Sequence, residues 1–402
     1  MKLCPSAEIQ IPGSKSESNR LLILQSLYDR PFRIHNLSEA EDTQLMKKAL
    51  ESVSDEINIH HAGTAMRFLT AYFSINQGRK ILLSGSHRMK QRPIGILVDA
   101  LNALGTEISY TEKEGFPPLK IKGKKIKKNE ISLESGVSSQ FVSALLLIAP
   151  KLSNGLKINL KGEITSLPYI KMTIDILKKS GVEVEFEPRS IQVFHAPRLT
   201  ARDWEVESDF SSASYFYSVA ALAQNPKISI GNFKPKSLQG DSAVIELYRK
   251  LFGVESEFIG NHIRLTKNTD FIPKSFEINL NDTPDLAQTI AVTAAGLQLK
   301  CQLNGLQTLK IKETDRLYAL QNELQKIGVS AEITSNSISL TNFSETDKIP
   351  LIKTYNDHRM AMSFAPLCLL RELKIENPEV VNKSYPGFWQ DFENCFLDGF
   401  DF

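Results

Sequence analysis

Cations standing where helices begin are the residues of this chain best suited to chemistry. Pro12-Gly13-Ser14-Lys15-Ser16-Glu17-Ser18-Asn19-Arg20 places hydroxyls and two cations at the head of a stretch carrying Leu21, Leu22, Leu24 and Leu27 on one face. Ala62-Gly63-Thr64-Ala65-Met66-Arg67 precedes the apolar run 68–73, and Arg88-Met89-Lys90-Gln91-Arg92 precedes Pro93 and a further helical pattern. Lys312-Glu313-Thr314-Asp315-Arg316 and Asn356-Asp357-His358-Arg359 open two later ones. Ser138-Ser139-Gln140-Phe141 and Ser166-Leu167-Pro168-Tyr169 have the same style without the cation. A helix start exposes unpaired backbone N–H groups and a partial positive charge, which suits an anion and slightly disfavours Lys or Arg. Capping accounts for Ser139, Thr314 and Asp357. It does not account for Arg67, Arg92, Arg316 and Arg359, which call for an oxyanion that a guanidinium can grip through two parallel hydrogen bonds. The stretch around Lys15 is not a Walker loop, because the Gly spacing is wrong.

Two carboxylates accompany these cations: Glu313, between Lys312 and Arg316, and Asp285, just before the helical pattern 286–297. A carboxylate beside a bound anion can move protons; a salt bridge to the neighbouring arginines is the equally weighted alternative. The seven histidines form no HExxH and no grouping with Cys, so a metal site is not expected.

The elements that must position these residues repeat. Amphipathic helix, Gly, short strand, turn and second strand recur with the glycines at 105, 181, 253 and 328. Gly after a helix permits the left-handed residue that ends it, and the alternation that follows is a hairpin signal. Partial units lie at 43–59 and 358–377. Six units in two groups of three imply an α/β chain of two similar domains, with helices buried and sheets around them. The basic run Gly123-Lys124-Lys125-Ile126-Lys127-Lys128-Asn129 is expected to be a solvated hairpin turn.

A chain of 402 residues exceeds one ordinary core, again favouring two domains. A formal net charge of +2 draws it to no nucleic acid globally, so any anion binding is local. Cys4, Cys301, Cys368 and Cys395 form no CxxC pair, as expected of reduced thiols in a cytoplasmic protein. No signal-peptide core and no run long enough to span a membrane is found.

In order and in combination, PGSKSESNR, GTAMR, KETDR and NDHRMAM, with the segments at 88–94 and 138–141, resemble the EPSP synthase family. The resemblance runs from about Glu8 to Phe392. It implies two domains, each of three βαβαββ units with helices inside and sheets outside, an inside-out α/β barrel, with a cleft between them. Residues 13–208 would form one domain, mainly binding shikimate 3-phosphate; residues 1–12 plus 209–402 would form the other, with crossovers near Pro12-Gly13 and 207–209.

The implied reaction transfers the enolpyruvyl group of phosphoenolpyruvate to the 5-hydroxyl of shikimate 3-phosphate by addition and elimination, releasing phosphate. Domain closure would exclude water. No metal or organic cofactor, no nucleic acid and no membrane are implied, and the chain is expected to be monomeric. By motif, Lys15, Gly63, Arg92, Gln140, Arg316, Arg359 and Lys383 match the phosphoenolpyruvate ligands. Lys15, Ser16, Arg20, Ser138, Ser139, Gln140, Ser166, Tyr169, Asp285 and Lys312 match the shikimate 3-phosphate ligands. Asp285 matches the base at the 5-hydroxyl, and Glu313 with Lys15 the proton-transfer partners at the enolpyruvyl carbon. His61, Leu167, Thr308 and Gly387 depart from the family's commoner residues. Two alternatives are a UDP-N-acetylglucosamine enolpyruvyl transferase, against which stands the lack of any Cys between Cys4 and Cys301, and a non-catalytic anion-binding homologue.

Overall fold

The computed structural model describes residue 4 and residues 6–397, apart from 29–31, 135, 137, 163, 201–202 and 269–272. Twelve α-helices are found among the described residues: α1 Lys15–Leu27, α2 Glu41–Glu51, α3 Gly63–Ile75, α4 Gly95–Leu104, α5 Ser139–Ile148, α6 Leu167–Lys179, α7 Phe210–Leu222, α8 Val244–Phe252, α9 Ala287–Gly296, α10 Arg316–Lys326, α11 His358–Phe364 and α12 Phe388–Glu393. The chain divides into two compact units, Lys15–Val206 and Met1–Ser14 with Glu207–Phe402.

In the Lys15–Val206 unit, α1, α3 and α5 pack against one another. The apolar faces of α3 and α5 are buried almost all round, as central helices must be. By contrast α4 is one-sided: Leu97, Val98, Leu101 and Leu104 are buried at helical spacing. Two four-stranded sheets cover these helices. One runs Glu56–Asn58, Lys80–Ser84, Leu119–Lys122, Glu107–Tyr110; the other runs Glu130–Glu134, Leu156–Lys161, Ser190–Val193, Val184–Glu187. In each the first pair is parallel and the rest antiparallel. Strict alternation puts Leu156, Ile158 and Leu160 on the helices and Lys157 and Lys161 toward water.

The other unit repeats the plan. Its central helices α7, α9 and α11 are buried nearly throughout. Its sheets run Ala7–Gln10, Ile228–Gly231, His262–Lys267, Val254–Ile259 and Ser275–Asn279, Lys300–Asn304, Ile338–Phe343, Val329–Ile333. The first of these takes its edge strand from the far N-terminal end of the chain, with Ala7 opposite Ile228. The chain leaves and re-enters this unit side by side: Ser14 N–H donates to the Glu207 carbonyl at 2.8 Å, and Asp209 N–H to the Pro12 carbonyl at 2.9 Å.

The four glycines of the repeat adopt φ of 108°, 85°, 69° and 85° at positions 105, 181, 253 and 328, so each helix ends in the left-handed residue that its sequence called for. Two units in each domain are complete four-stranded βαβαββ units. The third in each keeps only a parallel pair among the described residues, Ile34–His35 with Trp204–Glu205 and Leu351–Ile352 with Lys374–Ile375. The expected partial unit at 43–59 is split, since α2 belongs beside α1 while Glu56–Asn58 opens the next sheet.

The basic run 123–129 is not a hairpin turn. It is an extended connector from Leu119–Lys122 of one sheet to Glu130–Glu134 of the next. Ile126, only 4% exposed, pins its middle. Gly123 pins its start, donating to the Arg79 carbonyl at 2.9 Å. A Cβ on Gly123 would lie 1.7 Å from the Asn76 carbonyl oxygen. Gly123→Ala is therefore expected to destabilise by about 1–3 kcal/mol through backbone displacement. A thermal melt checks this, with roughly 2–4 °C lost per kcal/mol in a unit of this size.

Candidate active site

In the Lys15–Val206 unit the N-terminal parts of four helices meet. Arg20 on α1 is the clamp: Nε donates to Thr173 Oγ1 on α6 at 2.7 Å, and Nη2 to Ser143 Oγ on α5 at 3.2 Å and to the Tyr169 carbonyl at 3.1 Å. Nη1 closes back on the Ser16 carbonyl at 2.7 Å. Burial pulls this guanidinium down to about 10, partly countered by Tyr169 and Glu17. Arg20 thus fixes Ser16 and Tyr169 relative to each other. Gln140 Nε2 on α5 donates to Thr64 Oγ1 on α3 at 3.2 Å, which joins α3 to the same cluster. Ser138 caps α5 by accepting from Gln140 N–H at 3.3 Å, one residue before the expected cap at Ser139. Ser166 sits in the left-handed region, φ 55°, immediately before α6. Lys15 opens α1 with its Nζ 3.3 Å from Asp42 Oδ2.

Gly63 and Arg92 are paired by shape. A Cβ at Gly63 would meet Arg92 Nη1 at 2.5 Å and Cζ at 2.9 Å. The guanidinium therefore lies flat over the first residue of α3, where exposed N–H groups also point. Arg67, although expected to need an anion, is buried and bonded to backbone instead: Nη1 donates to the Gly63 carbonyl at 3.2 Å and Nη2 to the Pro93 carbonyl at 3.0 Å. It holds the Gly63 turn against the segment carrying Arg92.

The other unit gathers its charges at the starts of α9, α10 and α11. Arg316, 1% exposed, is ion-paired to three carboxylates: Asp357 at 2.7 Å, Glu313 at 2.9 Å and Asp285 at 3.0 Å. Asp285 also meets Arg359 at 3.1 Å and Lys312 at 3.5 Å, and Glu313 meets Lys383 at 3.2 Å. Asp357 caps α11 by accepting from Arg359 N–H at 2.9 Å. The cap of α10 is Asp315, not Thr314, with its carboxylate accepting from Tyr318 N–H at 3.2 Å. Burial raises Asp285, but Arg359, Lys312 and Arg316 outweigh it and hold the group well below the ordinary carboxylate range. Burial lowers Arg316, and Asp357, Glu313 and Asp285 more than reverse it, so Arg316 stays charged.

Three neighbours of this network were not singled out in the sequence. Arg359 donates to Tyr215 OH at 3.4 Å and to Ser211 Oγ at 3.3 Å, and Ser211 Oγ in turn donates to Asp241. Asp241 sits in Gln239-Gly240-Asp241-Ser242, directly before the helix of the third repeat. The segments before the repeat helices at 95, 167 and 316 all carry polar or charged groups, so the equivalent place in the third repeat is the signal that points to Asp241. Thr308, one of the departures, has a buried hydroxyl with no protein partner among the described residues. His61 approaches Glu41 at 3.3 Å, and a side chain at Gly387 would face Asp391 at 3.7 Å. Among the described residues no group of three or more His, Cys, Asp or Glu is arranged to hold a metal ion.

With this geometry in hand, solved structures of similar fold define a class. An EPSP synthase from Acinetobacter baumannii superposes with a TM-score of 0.75 at 21% identity, covering 98% of this chain and 96% of that one. The enolpyruvyl transferase NikO from Streptomyces tendae does so with 0.72 at 12% identity. At those identities the likeness is one of fold. The sequence goes further. The pattern defining EPSP synthase (3-phosphoshikimate 1-carboxyvinyltransferase) matches residues 5–58 and 48–392. A 3-phosphoshikimate 1-carboxyvinyltransferase from Bacteroides fragilis is 46% identical over 393 residues, 97% of this chain and 95% of the relative. Another from Sulfurovum sp. is 34% identical over 420 residues, 96% of each. The chain belongs to the EPSP synthase family.

Two outcomes follow from the geometry. Gly63→Ala pushes on the far end of a flexible side chain, so it should leave the melting temperature nearly unchanged while displacing Arg92. Calorimetric titration with inorganic phosphate should then show weaker binding. Asp241 is lifted from 3.8 to about 6, first by burial and then by Asp285. Its folded form holds the proton better than the unfolded chain does. The stability it contributes is therefore complete below about pH 4 and lost as pH rises through about 6. Asp241→Asn removes that loss, so the stability of the variant relative to the parent should rise between pH 4 and 7 by up to about 3 kcal/mol. Urea unfolding across that range measures it; a difference independent of pH would refute the shift.

Proposed function

We propose that this chain transfers the enolpyruvyl group of phosphoenolpyruvate to the 5-hydroxyl of shikimate 3-phosphate, forming 5-enolpyruvylshikimate 3-phosphate and phosphate. One observation carries the assignment of roles. Each cation expected to hold phosphoenolpyruvate in the Glu207–Phe402 stretch is ion-paired with a carboxylate expected to move protons: Arg316 with Asp285 and Glu313, Arg359 with Asp285, Lys383 with Glu313.

That pairing explains how one cluster both binds and reacts. Without substrate the carboxylates neutralise the cations, and Asp285 is too strongly stabilised as an anion to be a good base. A bound phosphate and carboxylate take over the cations, which raises the basicity of Asp285 toward that of an ordinary carboxylate. Asp285 then accepts the proton of the 5-hydroxyl as its oxygen attacks C2. Lys15 or Glu313 delivers a proton to C3, giving a tetrahedral intermediate. Loss of a proton from the new methyl group and cleavage of the C2–O bond to phosphate restore the enol ether. Arg92, Arg316, Arg359 and Lys383 stabilise the departing charge, the largest electrostatic contribution to such a step. Gly63 and Gln140 complete the phosphoenolpyruvate contacts. Ser16, Arg20, Ser138, Ser139, Gln140, Ser166, Tyr169 and Lys312 bind shikimate 3-phosphate, with Arg20 also fixing Ser16 and Tyr169 in place. In this reading the chain is a cytoplasmic monomer; no described helix is long and apolar enough to cross a membrane.

The test is release of inorganic phosphate from phosphoenolpyruvate. It should occur only when shikimate 3-phosphate is also present. Lys15→Met should abolish it, by a factor of 10² or more for loss of a proton-transfer group, with unchanged circular dichroism. An inert parent that still binds both compounds would instead make the chain an anion-binding homologue.

A further inference from the structure

The ion pair between Arg316 and Asp357 joins two segments far apart in sequence, and something must hold them in register. Asp357 follows Tyr355 and Asn356, both in the left-handed region with φ of 54° and 55°. Two consecutive residues with side chains in that region persist only where the surroundings over-determine them. The surroundings here come from α10, the helix that begins with Arg316. Glu323, seven residues on and so two turns along the same face, is completely buried. Its Oε1 accepts from Tyr355 OH at 2.8 Å, and its Oε2 accepts from Lys353 N–H at 2.9 Å and from Lys326 Nζ at 2.6 Å. Lys326 Nζ also donates to the Leu351 carbonyl at 2.8 Å. Residues 351, 353 and 355 are thus held by α10 at every second position of an extended segment, while Ile352 and Thr354 are buried. The Thr354 carbonyl then accepts from Asp357 N–H at 2.9 Å and closes the turn.

We propose that Glu323 is a positioning residue for phosphoenolpyruvate binding: its buried carboxylate registers segment 351–355 on α10, so that the strained turn delivers Asp357 to Arg316 and sets the start of α11 carrying Arg359. The inference rests on the function proposed above. Nothing in the motif that opens α10 extends to Glu323, and Glu323 touches none of the groups assigned to substrate.

The experiment compares Glu323→Gln, Tyr355→Phe and the double variant with the parent in steady-state kinetics. Glu323→Gln keeps the volume but loses the charge and sets an amide N–H₂ among three donors. Its KM for phosphoenolpyruvate should rise by roughly tenfold, the scale of one lost charge-assisted hydrogen bond. The KM for shikimate 3-phosphate should stay within about twofold. Tyr355→Phe should do the same more weakly, and the double variant should show less than the product of the two effects. Tyr28→Phe serves as a control, since its hydroxyl also donates one hydrogen bond to a protein oxygen, the Ala196 carbonyl at 3.0 Å; it should lower the melting temperature without moving the KM for phosphoenolpyruvate. An unchanged KM for phosphoenolpyruvate, or an equal rise in both KM values, would overturn the proposal. If Glu323→Gln does not fold, Tyr355→Phe alone decides. If the parent turns nothing over, the functional reading has failed, and inorganic phosphate titration takes its place: weaker binding by the variants supports the positioning role and equal binding overturns it.

Discussion

Arg316 is buried to within 1% of complete exclusion from water. A charge placed there must be matched or the fold would lose several kcal/mol. Three carboxylates match it, and they arrive from three different places: the turn before α9, the turn before α10 and the cap of α11. To bring those three carboxylates to one guanidinium, α9, α10 and α11 must have their N-terminal ends together. The sheets, wrapped outside, cover the central helices α7, α9 and α11, which are buried nearly throughout. Arg20 plays the corresponding role in the other unit, except that its partners are neutral: two hydroxyls and two carbonyls. One unit therefore gathers its helix starts around fixed charge, the other around hydrogen bonds.

Much of this was legible in the sequence because it is local. Gly105, Gly181, Gly253 and Gly328 end helices for reasons contained within a few residues. The cations at helix starts stood out because they contradict the helix dipole. What was not legible depends on contacts distant in sequence. Arg67 looked like Arg92, yet it is consumed by the Gly63 and Pro93 carbonyls, because the 3₁₀ turn at Met89–Gln91 returns the chain beside it. The basic run at 123–129 has the composition of a turn, but the strands on either side of it join different sheets, which makes it a connector. Asp241 carries no local oddity beyond its place in the repeat: an acid near a helix start is ordinary, and its burial, with Asp285 brought near it by the fold, makes it unusual.

The pairing of Gly63 with Arg92 shows how a missing side chain can act. The glycine is not there for its backbone freedom, since its φ is not positive. It is there because a guanidinium occupies the space of its Cβ. The same logic in reverse applies at Thr308, where a side chain is present and its buried hydroxyl has no protein partner among the described residues.

The strand Ala7–Gln10 belongs to a sheet whose other members span residues 228–267. On a ribosome it emerges well ahead of its partners and finds none until the whole of Lys15–Val206 has been made. Ile9 and Ile11, fully or almost fully buried in the finished protein, face water meanwhile. The intervening unit has all of its own strands and can complete itself during that interval. It then presents its two ends to the returning chain already close together, so that a strand closure over more than two hundred residues costs no more loop entropy than a short one. The discontinuity that complicates the domain's outline thereby sets an order of assembly, inner unit before outer.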